Sequence, residues 1–318
     1  MAIKFSYICS ELQNTIMAIW KDIQAQFKYG TALNRLIFIN IAVFLCINIV
    51  YVFSWLFTGA KESTVVLWLL ENIQTYLNPH DLLRKPWTLI TYMFVHEGFL
   101  HLLFNMLWLF WFGRIFTELL KGKRLTAVYI LGGIFGALFA VAMIQVIPAL
   151  RQSLAGGMPM IGASAAVLAV VAATATYFPN YQVYLLFFGQ VRLKYLALVM
   201  FVIDIISIPG SNAGGHLSHI GGALFGFVWA LQLKQGNDIT AWFVRLCDWI
   251  TSLFTAKPKM RVRYRNAKSN ISDVQFEEVG TKATASQTEI DTILDKISKQ
   301  GYDSLTKREK EVLFKQKV

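Results

Sequence analysis

Charged side chains are scarce in this chain of 318 residues: Asp, Glu, Lys and Arg together make up 15%, against 55% apolar residues. That leaves too little polar surface for a water-soluble protein of this length, and the composition reads as a polytopic membrane protein. Cysteine is equally sparse. Cys9, Cys46 and Cys247 lie far apart, and no pair has a metal-ligand spacing, which excludes a disulfide framework and a zinc knuckle. Acidic residues number 19 against 30 basic ones, for a formal charge of +11. The basic residues flank apolar runs, a pattern that orients helices across a bilayer and gives no reason to expect nucleic-acid binding. The chain also lacks a short basic start leading straight into an apolar run. The first apolar segment is therefore expected to stay as an anchor and not to be cleaved as a signal.

What is present divides into four parts. Residues 1–34 place Ile16, Ile19, Trp20 and Ile23 among Lys21, Asp22 and Lys28, as expected of a cytosolic helix lying on the membrane surface. Residues 35–235 contain six apolar segments, at about 35–57, 91–120, 125–147, 161–177, 193–208 and 216–233. A helix of about 20 residues crosses a hydrocarbon layer of about 30 Å, so most are long enough, with the fourth short. The connection 58–93 holds the apolar stretch 65–70, too short to span and read as interfacial or re-entrant. Residues 236–265 combine an amphipathic surface helix around Trp242, Leu246, Trp249 and Leu253 with a basic run. Residues 266–318 are a polar linker and a small helical pair, with Thr306 and Glu309 as a capping box. That pair is too small to bury a core unaided and is expected to dock on the membrane body, a copy of itself or a partner.

Basic residues cluster in the N-terminal segment, at Lys121, Lys123 and Arg124, and at Arg192 and Lys194. The loop between the third and fourth segments has only Arg151, and that between the fifth and sixth has none. Six spans with both termini cytosolic satisfy this asymmetry, with Lys61, Arg84 and Lys85 of the first loop as the exception. In this topology the second, fourth and sixth segments all start on the non-cytosolic side, and His101, Asn105, Ser164 and His219 all fall near those starts. Polar groups inside a membrane are costly and face a cavity or one another, so several at one level point to a site. His101 and Asn105, four apart, share a helix face, whereas His96 and His101, five apart, do not. Asn105 is expected to lie somewhat deeper, counted from a span beginning at Thr91. His216 sits at the loop edge and reads as an exposed or interface residue.

The stretch Met160-Ile161-Gly162-Ala163-Ser164-Ala165-Ala166-Val167 follows a Gly- and Pro-containing loop and carries one hydroxyl among small residues. Together with His96-Glu97-Gly98-Phe99-Leu100-His101-Leu102-Leu103-Phe104-Asn105 and His219-Ile220-Gly221-Gly222-Ala223-Leu224-Phe225-Gly226, it resembles the rhomboid intramembrane serine proteases. The resemblance covers about residues 35–235. It implies an all-α, six-helix membrane bundle, with Ser164 as nucleophile, His219 as general base, and His101 and Asn105 as oxyanion-stabilising side chains. It also implies single-span membrane proteins as substrates, cleaved next to small residues, and no cofactor or metal. Three positions depart from the family pattern: Ala165 where Gly is usual, Leu168 where many bacterial members have a tyrosine packed on the catalytic histidine, and Thr88 after Trp87 where Arg is common.

Chemically, a serine hydroxyl needs a base within hydrogen-bond reach, and a neutral imidazole serves. Asp204 lies well down the fifth segment, so no acid is expected beside His219, and packing or a backbone group is expected to hold its ring. The rivals are weaker. His96-Glu97 and His101 have a zinc-protease flavour, but zinc needs its helical histidines four apart. A transporter would show a repeat of its halves, which is not apparent. A rhomboid-like protein that escorts membrane clients without catalysis is disfavoured by the presence of both Ser164 and His219. The lipid bilayer itself is the remaining expected partner, in what reads as a bacterial inner membrane.

Overall fold

The computed structural model describes residues 30–60, 63–153, 159–185, 189–210, 212–254 and 287–314, with most positions between 11 and 26. The expectations placed on Ile16, Ile19 and Ile23, on the loop 156–158 and on the basic run and linker from 257 to 285 lie outside these. The described positions between 11 and 26 are helical. The chain divides into two units, Met1–Lys257 and Pro258–Val318.

The first unit is mostly helical. Helix α1 (Ala32–Thr58) starts where the Thr31 hydroxyl accepts the Asn34 N–H, and it stops at Gly59, whose φ of +70° only glycine adopts without strain. A short helix α2 (Thr64–Ile73) follows, capped by Ser63, so the apolar stretch of the first loop is helical. Then come α3 (Phe99–Leu119), α4 (Gly122–Val146), α5 (Ser164–Tyr177), α6 (Leu193–Ser207), α7 (Ala213–Lys234) and α8 (Ala241–Phe254). Among the described residues α1, α3 and α4 are long and apolar enough to cross a membrane. Helix α5 is apolar but has 14 residues, about 21 Å of rise.

Helix α5 is the hub. Ten of its fourteen residues are buried, because α3, α4 and α7 pack around it. Glycines set the closest approach: a methyl group at Gly226 would stand 2.0 Å from the Ala169 carbonyl oxygen, so α7 lies backbone to backbone against α5. Helix α6 is peripheral. It packs on α7 and α5, and only Leu193 and Asp204 of its residues are buried. Two small antiparallel sheets depart from the all-α expectation. β1 (Thr75–Tyr76) pairs with β2 (Pro159–Met160), and β3 (Gln182–Leu185) forms a hairpin with β4 (Gly189–Arg192).

Most helix starts differ from the sequence expectation by about three residues or more, and two of these differences bear on the site. The second apolar segment is broken: a short helix Thr88–Thr91 and a 3-10 turn Tyr92–Phe94 precede an extended stretch, and α3 begins only after Gly98. Helix α7 begins three residues earlier than expected, at Ala213, where the Asn212 side chain accepts the Gly215 N–H. Asn105 and His219 are therefore each six residues into their helices, about 9 Å, so these two match in count from their helix starts, while Ser164 opens its own helix.

Helix α8 leaves Trp242, Trp249 and Leu253 exposed and is tied to the start of α4 by Lys123 Nζ to Asp248 Oδ1 at 2.7 Å. Just before it, Arg124 Nε donates to Asp238 Oδ2 at 2.7 Å, and the buried Trp229 Nε1 donates to Thr240 Oγ1 at 3.1 Å. Burial works to raise the Asp238 pKa, but hydrogen bonds from Thr240 and Arg124 outweigh it and hold the carboxyl below the usual carboxylate range. In the second unit, α9 (Gln287–Gln300) and α10 (Lys307–Phe314) meet around the buried Ile293 and Leu305. The capping box is formed: Thr306 N–H donates to Glu309 Oε2 at 2.7 Å and Glu309 N–H to Thr306 Oγ1 at 3.4 Å. The Thr306 N–H, Lys296 and the Thr306 hydroxyl together bring the Glu309 carboxyl down to about 2.

Candidate active site

Ser164 is the first residue of α5, and the segment leading to it is fixed from two sides. The β1–β2 pair holds Met160 against Thr75, and the Gly162 N–H donates to the Tyr92 carbonyl at 3.0 Å. Gly162 adopts a φ of +117°, and a methyl group there would stand 2.8 Å from His101 Nε2 and 3.6 Å from Ser164 Oγ. Its missing side chain thus leaves a small space faced by both the imidazole and the hydroxyl. On α7, one turn beyond His219, lie Gly222 and then Gly226, the glycines that let this helix reach α5. His219 Nε2 stands 2.6 Å from Ser164 Oγ, so the structure brings the predicted pair into hydrogen-bond contact.

His101 and Asn105 do share a face of α3. The Asn105 amide donates to the His101 carbonyl at 2.8 Å, and both residues line a cavity with Ser164 and His219. His96 joins this group despite its different azimuth, because it precedes the helix instead of belonging to it. Its ring lies edge-on to His101 with centroids 5.2 Å apart. It is 4% exposed, and neither ring nitrogen has a well-formed hydrogen bond among the described residues. Burial above all, then the neighbouring His101, lowers its pKa to about 4, with only the Phe94 backbone acting in the opposite direction.

One expectation is overturned: an acid does stand beside His219. Asp204 Oδ1 lies 2.8 Å from His219 Nδ1 and also 2.8 Å from His216 Nδ1. Asp204 is far from the start of α6 but three residues from its end, and α7 begins after a short reversal, so the two helices are antiparallel and their adjoining ends lie level. His216 is correspondingly half-buried within this cluster and is not a free loop residue. The similar distance of Asp204 and His216 from the Pro209-Gly210 turn, and the three-residue spacing of His216 and His219, are the signals in the sequence. Asp204, His216 and His219 offer donor atoms within 4.8 Å of one another and have the chemical types that a transition metal takes. At 2.8 Å, however, the Asp204 contacts have the spacing of hydrogen bonds.

The three departures from the family pattern each have a structural setting. Ala165 is accommodated because it faces Gly136 of α4, where a methyl group would meet the Ala165 Cβ at 3.0 Å. Leu168 lies beside His219 along an apolar cleft and offers its ring no polar partner. Thr88 is buried and donates to the Lys85 carbonyl at 2.6 Å, while Trp87 Nε1 donates to the Asn72 carbonyl at 2.9 Å, so the first loop is still anchored there.

Two hollows meet at the serine. One, of about 900 Å³, has a mixed lining in which Asn48, Gln74, His96, Glu97 and Asn212 stand among apolar residues such as Ile47, Leu70 and Ile161. The second, of about 300 Å³, is apolar, lying between Phe104 and Trp108 of α3 and Met200 and Ile203 of α6. Asn105, Ser164 and His219 line both. A hydroxyl beside an imidazole, with amide and imidazole groups around one space, is an arrangement able to carry out acyl transfer.

Residues 83–235 match the Rhomboid domain, and residues 278–315 match a family of unknown function (DUF6576). The chain is 26% identical over 197 residues to "Rhomboid protein 1, mitochondrial" of Saccharomyces cerevisiae, covering 57% of this chain and 53% of that protein. It is 37% identical over 82 residues to "Putative rhomboid protease YdcA" of Bacillus subtilis, covering 26% and 40%. To "RHOMBOID-like protein 12, mitochondrial" of Arabidopsis thaliana it is 26% identical over 193 residues, covering 56% and 57%. The chain thus spans about half the length of these relatives.

Proposed function

We propose, on the premise that this chain carries a rhomboid domain across residues 83–235, that it is a serine-type intramembrane endopeptidase cutting membrane-anchored proteins in or near their spanning segment. The observation that carries the reading is the 2.6 Å contact between Ser164 Oγ and His219 Nε2.

In this reading Ser164 Oγ attacks the scissile carbonyl carbon while its proton passes to His219 Nε2. The carbonyl oxygen becomes negative and is met by the Asn105 amide, a His101 N–H and the Ser164 backbone N–H at the start of α5. Collapse breaks the carbon–nitrogen bond, and the proton on His219 leaves with the new amine. Water then repeats the sequence on the acyl-enzyme: His219 takes its proton, the ester bond to Ser164 breaks, and the serine is restored. The larger cavity is the water route. The apolar cleft between α3 and α6 takes the peptide, which must be locally unwound, since a regular helix ties up the carbonyl under attack.

The bundle reads as six spans, α1, α3, α4, α5, α6 and α7, with both termini cytosolic, in a bacterial inner membrane. With α5 reaching the cytosolic surface, its rise of about 21 Å against a layer of about 30 Å leaves Ser164 below the outer surface, where it lines the larger cavity. Purified protein should cleave a single-span substrate and be labelled at Ser164 by a serine-directed phosphonate, and both Ser164→Ala and His219→Ala should abolish cleavage. Undiminished cleavage by either variant would end the assignment. Substrate capture without cleavage or labelling would instead mark a client-binding protein.

A further inference from the structure

We propose that Asp204 is the positioning acid of a Ser164–His219–Asp204 triad, and that His216 clamps Asp204 in place. The proposal rests on the reading of Ser164 as nucleophile and His219 as base, and concerns what holds that base in its working form.

A neutral imidazole carries its proton on one nitrogen and accepts on the other, and only the tautomer with a bare Nε2 can take a proton from Ser164. An ionised carboxylate can only accept. Asp204 Oδ1, 2.8 Å from His219 Nδ1, therefore selects the Nδ1–H tautomer and leaves Nε2 bare toward Ser164, 2.6 Å away. When Nε2 becomes protonated during attack, the imidazolium lies against a fixed negative charge. No other side chain described here does this: Leu168, the neighbour on α5, has no polar atom.

The placement of Asp204 supports a role beyond packing. It is the only acidic residue of α6 and one of two buried residues in that helix, whose Ile203, Ile205 and Ile206 are all exposed. A carboxylate in an apolar helix is costly unless it is partnered, and this one turns inward to two imidazoles. His216 completes the arrangement. Its Nδ1 also lies 2.8 Å from Asp204 Oδ1, so a single oxygen accepts from two rings three residues apart on α7. With both donors on one rigid helix, the carboxylate is pinned in rotation about its own side chain.

Asp204→Asn, nearly isosteric, and His216→Gln, which keeps a donor, test the two roles, with thermal unfolding in detergent as a check on folding. Asp204→Asn should lower kcat for a single-span substrate and the rate of phosphonate labelling of Ser164 by roughly 100-fold or more, with KM within about threefold of the parent. His216→Gln should lose less than about tenfold. The chain has five histidines, so 15N-histidine spectra in micelles are assignable by substitution. His219 should be an Nδ1–H tautomer in the parent and a mixture in Asp204→Asn. A parent showing the Nε2–H tautomer overturns the proposal even where the variant fails to fold. So does Asp204→Asn that labels at the parent rate. A parent that is never labelled at Ser164 removes the protease reading and the triad with it, whereas a labelled parent with an equally fast Asp204→Asn removes the triad alone.

Discussion

Gly222 lies so close to Ala165 that a methyl group on it would stand 2.1 Å from the Ala165 carbonyl oxygen, an atom of helical backbone that cannot rotate away. This contact fixes the separation of α5 and α7, and with it the reach from His219 to Ser164. Gly222→Val should force the helices apart, costing about 1–3 kcal/mol of stability. Phosphonate labelling of Ser164 should fall by roughly tenfold or more, since the imidazole moves with its helix. Labelling and thermal unfolding at parent values would show that the two helices can separate without consequence.

Asn105 bonds through its amide to the His101 carbonyl and borders both hollows. On the proposed reading, Asn105→Ala removes a donor to the oxyanion and not to the ground-state substrate. The expected result is a drop of about 10²–10³ in kcat with little change in KM, read from steady-state cleavage of a single-span substrate. A change confined to KM would place Asn105 in substrate binding.

His96 gives stability a pH dependence. Its pKa is about 4 when folded and 6.5 ordinarily, so between these values the unfolded chain holds the extra proton and stability rises with pH. The contribution is complete above about 6.5, is lost as pH falls, and is gone below about 4; it amounts to up to about 3 kcal/mol. His96→Phe should flatten thermal stability across that window relative to the parent. An unchanged slope would assign the dependence to other groups.

Asp238 joins Arg124 to the turn before α8, and Trp229 donates to its neighbour Thr240. Asp238→Asn should cost about 1–3 kcal/mol at neutral pH and speed proteolysis near α8. The native carboxyl sits below its ordinary value, so its contribution is present above about 4 and lost as pH falls through the folded value. The gap between parent and variant should therefore close on acidification.

Much of the site was legible in the sequence because helical spacing fixes which side chains share a face. Ser164, His219, His101 and Asn105, expected together from the spacing of polar groups in apolar segments and from the motifs they carry, line one cavity. Asp204 is hidden by its distance from the start of its segment: in an antiparallel pair it is distance from the turn that sets the level. The start of α3 is hidden because Tyr92–Val95 continue the apolar run, and only His96-Glu97-Gly98 mark the break. The β1–β2 pair left no trace, since two residues are too few to show alternation. The Gly-rich stretch of α7 was read as a family motif, but the measure of its importance is the bare backbone of α5 against it.

The serine hydroxyl stands where the larger cavity and the apolar cleft meet. On the proposed reading, peptide and water need not share one entrance. An ester formed on Ser164 would keep its chain in the greasy flank while its carbonyl looked out on solvent, so its lifetime would be set by the reach of a single water molecule over that sill. Small polar acceptors such as hydroxylamine should then intercept it without dislodging the bound chain.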